Sequence, residues 1–515
     1  MAMRGWLRRK KTSVKDRMSH SSEPIRVREV SERLSDNIAE LNALFTLTPD
    51  LVIRTFASQQ IDSMVTLVYL NGLVDKNSIN NNVLRPLLSH PEGEKTSVFD
   101  LLSVGKVSVA YDFRKVETEI LLGSSLLFIE GRKEVLVIET NGWPQRAIED
   151  PQLEAALKGG HQGFVETDTQ NIALIRRYIP NRELKIKEMW LGERGLTKLS
   201  IIYLADVANP EVLQELEDRL KTIKVDSILN ASELEEYIED NPYSLFPQFL
   251  TSERPDTVAS HILQGKITVV VDRSPSVLIG PATFVSFFQN VDDYGTRWPV
   301  ATFIRLLRYL AFLIATFLPA IYIALISFNY EVIPLDLILS VGESRQKVPF
   351  PPLLEALVME LTLEMLRESG IRLPAPIGQT VGIVGGIVIG QAVVQAGIVS
   401  NIMVIVVAFT AISSFIIPNY DMASAVRLIR FFMMILAAMF GVVGIVVGLM
   451  VLIGHLISLE SLGVPYGSPL APVRFADWKD LFIRLPLWKM KDRPLSTEAI
   501  QKQRQGDNRP REDGG

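Results

Sequence analysis

Three tracts without a single Asp, Glu, Lys or Arg occupy most of the chain between residues 309 and 459. They cover 309–330, 373–420 and 431–459, whereas charged residues arrive every few positions up to Arg308. Crossing roughly 30 Å of hydrocarbon takes about 20 apolar helical residues. A backbone in lipid must satisfy its own hydrogen bonds, so such tracts are expected to be helices. The middle tract exceeds one span and divides at Ser400 and Asn401. The expected membrane domain is 297–460, with spans at about 309–330, 381–398, 402–417 and 431–455. An amphipathic or re-entrant helix is expected at 350–372. Four spans place both ends on one side, and Arg297, Arg305 and Arg308 before the first span argue that this side is cytoplasmic. Arg427 and Arg430, ahead of the last span, oppose that orientation.

The remainder reads as mixed α and β structure. The expected fold is an α/β cytoplasmic domain of two subdomains, 29–158 and 164–296, followed by a multi-span α-helical membrane domain. In the first subdomain, 29–47 has helical apolar spacing, 50–56 and 62–70 are β-branched strand patterns, and 73–88 is a helix opened by Asp75 or Asn77. Residues 124–139 form a hairpin turned at Gly131. In the second, 171–178 is helical and 183–191 and 198–204 are strands. Helices at 210–221 and 232–240 open at Asn209 and at Asn230 or Ser232, and 266–279 is a hairpin around Ser274 and Pro275. The join falls at 159–163. No internal repeat is visible. A basic, disordered tail (1–28) and a polar tail (461–515) flank these parts.

Composition excludes several functions. A net charge of -5 without a basic stripe argues against nucleic-acid binding. The absence of cysteine removes disulfides, thiolate catalysis and cysteine-ligated metals. His20, His90, His161, His261 and His455 have no metal-ligand spacing, and no nucleotide or hydrolase signature occurs. No catalytic residue, metal, cofactor or enzyme activity is expected.

Two features of the apolar region go beyond anchoring. Gly382, Gly386 and Gly390 recur every four residues and leave one helix face nearly bare. Gln391 and Gln395 lie one turn apart on the same helix, and amides in lipid want a partner or water. Interhelical packing and a pore lining are both open on this pattern. The second feature is the segment 349–374, where Pro349, Pro351 and Pro352 precede a helix carrying Glu355, Glu360, Glu364 and Glu368. Its carboxylates are expected either to line a cation vestibule in an oligomer or to form a solvated face. The prolines would act as a gating hinge.

Residues 70–88 (LNGLVDKNSINNNVLRPLL), 272–293 (DRSPSVLIGPATFVSFFQNVDD), 297–308 (RWPVATFIRLLR), the PFPP helix through Arg372–Leu373–Pro374, and 378–390 occur in a consistent order. On these segments the chain resembles the A subunit of GerA-type spore germinant receptors, from about residue 30 to 475. The resemblance implies the inner membrane of bacterial endospores; with it, the orientation argued from Arg297, Arg305 and Arg308 turns the large amino-terminal domain toward the spore core. It implies two partners, a transporter-like B subunit and a lipoprotein C subunit. It also implies self-association, as a pentamer, into a germinant-gated cation channel that triggers germination. A signal-transducing scaffold without its own pore, or a non-receptor paralogue acting as an amplifying channel, would carry the same segments. A secondary transporter would show inverted repeats, and none is seen.

Overall fold

The computed structural model of the protein describes residues 28–508 apart from 90–96, 143–153, 155–157, 375–384 and 387. The expected basic tail therefore lies outside the described residues except for Arg28. The chain divides into two compact units, one reaching Gln145 and taking in Pro180–Arg182, the other holding the rest.

The first unit is built on an antiparallel sheet of β1 (Leu51–Ser58), β2 (Ser63–Leu70), β3 (Val107–Ala110), β4 (Ser125–Ile129) and β5 (Val135–Ile138), in the order β1-β2-β4-β5-β3. The inner strands β4 and β5 are buried along their whole length, which is why they read as continuous apolar runs. Helix α1 (Leu34–Leu44) precedes the sheet, and α2 (Phe113–Leu121) joins β3 to β4. The expected helix at 29–47 is thus shorter. Asp75 caps the helical stretch 76–88 by accepting from Asn77 N, as its position suggested. Gly131 turns the β4–β5 hairpin at φ +81°.

The second unit repeats this wiring. Its sheet of β6 (Leu184–Leu191), β7 (Thr197–Leu204), β8 (Leu250–Ser252), β9 (Ile267–Val271) and β10 (Val277–Gly280) runs β6-β7-β9-β10-β8. Helix α3 (Asp168–Tyr178) precedes it, α4 (Pro210–Thr222) and α5 (Ala231–Ile238) follow β7, and α6 (Pro255–Leu263) joins β8 to β9. Asn209 and Asn230 cap α4 and α5.

The two sheets also share an internal clamp. Asn37 accepts from Ser31 N and donates to Ser31 O, and Asn171 does the same with Val165. Val30 N donates to Tyr111 O where Phe164 N donates to Glu253 O, and Gly131 N to Glu32 O where Arg273 N donates to Glu166 O. The two sheet modules are a structural duplication that residue identity does not display. The segment 158–164 is not a free join: Lys158 N donates to Asp292, Gly160 O accepts from Arg254, and both partners lie in the second unit.

Alternation on β9 sends Val270 to one face and Val269 and Val271 to the other. The latter pack with Leu216 of α4 and Leu234 of α5, whereas Val270 joins Ile172, Val258 and Ile262 in a core continuous with the apolar helices. These are α7 (Trp298–Ser327), α8 (Leu335–Arg345), α9 (Pro352–Arg372), α10 (Asn401–Ile416) and α11 (Tyr420–Ser458). Among the described residues, α7 and α11 are long and apolar enough to cross a membrane.

Helix α11 is not one rod, as the expected span 431–455 required. Gly441 has φ 60° and ψ −141°, and the chain reverses there. A side-chain carbon added at Gly448 would lie 2.6 Å from Met433 Sδ, and one at Gly444 would strike Leu436 O. In a straight helix those partners are about 22 Å and 12 Å away along the axis. Residues 420–440 and 442–458 are therefore antiparallel arms packed through glycines. The turn is lodged against the end of α7, where Asn329 Oδ1 accepts from Val442 N.

The start of the expected polar tail packs against the second unit. Ser461 Oγ donates to Gln248 O (2.7 Å) and accepts from Ala282 N (2.9 Å), and Tyr466 is fully buried against Phe284 and Phe287.

Gly441→Ala should cost about 1–3 kcal/mol, because only glycine adopts this backbone readily and the added carbon would meet Phe328 Cβ at 2.9 Å. Gly454→Ala, with open space around it, should be neutral or slightly stabilising. Thermal unfolding of the detergent-solubilised protein reads the difference.

Candidate functional site

Pro351, at φ −66°, introduces α9 and Pro352 occupies its first turn, which fixes the entry of the glutamate helix. The carboxylates that follow do not form one open acidic face. Glu355 is fully buried, 3.0 Å from Arg345 of α8, and its second oxygen accepts from Ser400 N at 3.0 Å. Glu360 is 1% exposed and 3.1 Å from Arg430. Glu364 accepts from Arg367 at 2.7 Å and lies 3.3 Å from Arg430 and 4.0 Å from Arg427. Glu368 pairs with Arg372 one turn on and is the most exposed of the four. The helical spacing does align Glu360 with Glu364, but that side of α9 meets the arginines of α11. Sequence reading took Arg427 and Arg430 for flanking charges, and nothing local could reveal partners some 65 residues away.

Helix α9 runs alongside α10 in the same direction, since Glu355 meets Ser400 and Arg367 Nη2 lies 3.4 Å from Ser414 Oγ. Residues 388–395 are helical. Gly385 touches Leu366 of α9, so this segment and α9 are neighbours. Gln391 and Gln395 are exposed. A carbon built at Gly386 or Gly390 meets nothing within 4 Å. Beside Gly386 and Gly390 this face has no neighbour among the described residues. Gly382 lies outside them. Pro349 and Pro351 occupy the connection between α8 and α9.

The sheet end of the bundle is tied by charges. Arg305, with no exposed surface, binds Asp293 (3.0 Å) and Asp480 (2.7 Å), and Arg308 reaches Asp293 (2.8 Å) and Phe288 O (3.0 Å). Tyr294 OH donates to Asp480 at 2.7 Å. On α5, burial pushes the Glu235 carboxyl up to about 8, with the Glu239 and Asp421 carboxylates adding to the rise. Burial likewise pushes Glu239 up to about 7.

Comparison with known proteins places this architecture. The family model for "Bacillus/Clostridium GerA spore germination protein" matches residues 39–496. Spore germination protein KA of Bacillus subtilis is 41% identical over 93% of this chain and 90% of its own length. Spore germination protein GerLA of Bacillus cereus is 38% identical over 90% of this chain and 94% of its own. An uncharacterized membrane protein of Bacillus subtilis, YfkQ, is 39% identical over 91% and 92%. The crystal structure of the N-terminal domain of the A subunit of the Bacillus megaterium spore germinant receptor GerK3 aligns with 28% identity and a TM-score of 0.39. It covers 50% of this chain and 98% of that one. The chain thus falls in a class of spore germination proteins. The chain is a member of the GerA family, the A subunits of spore germinant receptors.

Two outcomes test the charge placement. Arg430→Met alone should destabilise the protein by about 3–5 kcal/mol, because it strands the buried Glu360. Adding Glu360→Gln should recover most of that loss in a thermal-unfolding cycle. For Glu235, whose unperturbed value is 4.5, the folded form holds its proton more tightly than the unfolded chain. Its stabilising contribution is therefore complete below about pH 4.5 and is lost as pH rises through about 8. Glu235→Gln should flatten the decline in denaturation midpoint between pH 5 and pH 9.

Proposed function

We propose that this chain is the membrane-spanning A subunit of a nutrient germinant receptor in the inner spore membrane, and that copies of it assemble around a germinant-gated cation pathway. The spanning legs are α7, α10 and the two arms of α11. Helix α9 and the segment 385–396 form an inner pair that descends from and returns to the far end. Both ends of the membrane domain then lie on the side of the sheets, facing the spore core. In this arrangement Arg427 and Arg430 fall near the same side as Arg297, which supports the orientation.

The observation that carries the pathway is the unpartnered face of 385–396. Gln391 and Gln395 are exposed and Gly386 and Gly390 are bare within a tract that is otherwise apolar. Amides cost free energy against acyl chains, so this face is better satisfied by water on an oligomer axis. Glu355 and Glu360 are consumed by internal pairs, which leaves Glu368 as the carboxylate available to a vestibule. The turn at Pro349, Pro351 and Pro352 fixes α9 against α8 and is the hinge through which the transporter-like B subunit would act, with the lipoprotein C subunit completing the receptor.

Gln391→Leu with Gln395→Leu should slow cation release from germinating spores several-fold while membrane levels of the subunit stay normal. Unchanged release and unchanged conductance in reconstituted bilayers would move the ions elsewhere and leave the chain a scaffold.

A further inference from the structure

Helix α7 carries an exposed apolar strip that begins before its charge-free tract does. Phe303, Leu306, Leu310 and Leu313 are exposed and fall on one side of the helix. Beside that strip runs the returning carboxy-terminal segment. Thr302 Oγ1 accepts from Arg484 N at 3.2 Å, Arg305 holds Asp480 at 2.7 Å, and the Phe482 ring lies 5.0 Å from that of Tyr309. From Thr302 to Tyr309 the helix rises about 10 Å. A headgroup layer is roughly 5–8 Å thick, and Tyr309 opens the tract suited to hydrocarbon. These contacts hold the segment at headgroup height on the sheet side of the bundle.

What the segment presents at that height is apolar and basic. Its helical turns, Phe475–Asp480 and Leu487–Lys489, are too short to bury their own side chains. Phe475 is 73% exposed, and Ile483 is about half exposed. The Phe475 ring lies 5.1 Å from Trp478, and Trp478 lies 6.3 Å from Phe482, so a row of rings leads from Tyr309 out to Phe475. Lys479 and Lys489 are exposed and make no ion pair among the described residues. Lys489 Nζ lies 5.1 Å from the centre of the Trp488 ring. The neighbouring carboxylates are already engaged: Asp477 accepts from Leu495 N and Ser496 N, and Asp480 is held by Arg305. Aromatic rings and unpaired lysines at one level are the chemistry of a membrane–water boundary. An apolar patch turned to bulk water would gain nothing from that arrangement.

We propose that residues 470–491 form an interfacial anchor seated on the leaflet next to the sheets. Phe475, Trp478 and Ile483 enter the headgroup layer, and Lys479 and Lys489 draw anionic phospholipid to it. The inference rests on α7 crossing the membrane, as proposed above. Two observations select the leaflet as the occupant. The patch is continuous with the exposed strip of α7, and its unpaired charges have the sign that anionic headgroups attract. Asp480 belongs both to this segment and to the Arg305 clamp, so lipid seated here bears on the junction of sheet and bundle.

The chain has no cysteine, so single cysteines can each carry one fluorophore on the full-length protein in phosphatidylcholine nanodiscs. Phe475→Cys and Ile483→Cys report on the anchor, and Ile321→Cys on the middle of the charge-free tract of α7. Leu229→Cys lies at the end of α5 away from the contact between Asp240 and Leu462. The quenchers are trace phosphatidylglycerol or phosphatidylcholine with a nitroxide high on the acyl chain, phosphatidylcholine with a deep nitroxide, and aqueous iodide. The anchor labels should be quenched by the shallow lipids and shielded from iodide, Ile321 by the deep lipid, and Leu229 by iodide alone. Shallow phosphatidylglycerol should quench the anchor labels at least about fivefold more than shallow phosphatidylcholine. Lys479→Gln with Lys489→Gln should bring the two lipids to parity, as should salt at about 1 M. Anchor labels reached by iodide alone, with Ile321 still reached by lipid, would overturn the anchor and leave the span standing. Labels shielded from lipid and iodide alike would give the face to another protein surface, a second copy of this chain included, and overturn it equally. Equal quenching by the two headgroups would overturn the anionic preference. Failure of lipid to reach Ile321 would sink the span and the anchor together.

Discussion

The guanidinium of Arg305 is the interaction on which the second unit depends. It sits at the start of α7 without exposed surface, held by Asp293 on the sheet side and Asp480 on the returning carboxy-terminal segment. An ion removed from water costs several kcal/mol unless its partners are in place. The three segments it joins must therefore assemble together. The aromatic packing of Phe284 on Phe288, Phe312 and Tyr466 covers the same junction with apolar surface. The sheet and the apolar helices consequently share one continuous core rather than meeting through a flexible linker.

The duplication of the sheet module shows how far geometry can persist while composition drifts. Both copies use a buried asparagine in the second half of the first helical turn to hold the backbone six residues upstream. Both tie the segment before that helix to the last hairpin. The asparagine clamps join side chain to backbone and the hairpin ties join backbone to backbone, so together they constrain one residue type per module and leave the rest free to vary. Strand burial differs as well: β2 begins half-exposed, whereas β7 is buried along most of its length. A search for repeated residues is blind to such a repeat.

Local structure was legible where a local cause exists. The caps at Asp75, Asn209 and Asn230, the hairpin turn at Gly131 and the apolar strands could be read because turn and cap chemistry is decided within a few residues. Helices α2 and α6 were missed; each is short, and their apolar positions resemble loop punctuation until the sheet they cover is known. The membrane-like helices were legible as apolar tracts, but not their partners. Glu360 and Arg430 are far apart in sequence, and the period of α9 shows which carboxylates share a side without showing what that side meets. The row of rings from Phe475 to Tyr309 left no sequence signal, because it is completed by α7, whose Arg305 is 175 residues from Asp480.

The reversal at Gly441 explains how the two ends of α11 reach one sheet unit. Read as one rod, α11 carries Arg427 and Arg430 at one end and Ser458 at the other, and the two ends would lie about 58 Å apart by helical rise. Yet Asn419 lines a cavity with Thr251 of β8, and His455 lies 2.9 Å from Ser244, so both ends meet the same sheet unit. Only a fold back at the middle allows that. The glycines at 441, 444 and 448 supply it by letting the arms approach to backbone contact, and Asn329 satisfies an amide at the turn. The arginines of the first arm lie within about three turns of its start at the sheet end, and α9 delivers Glu360 and Glu364 to meet them there. The buried ion pairs need only the first arm, because Arg427 and Arg430 precede the turn; the reversal at Gly441 returns the chain from the far end of the bundle to the sheet unit.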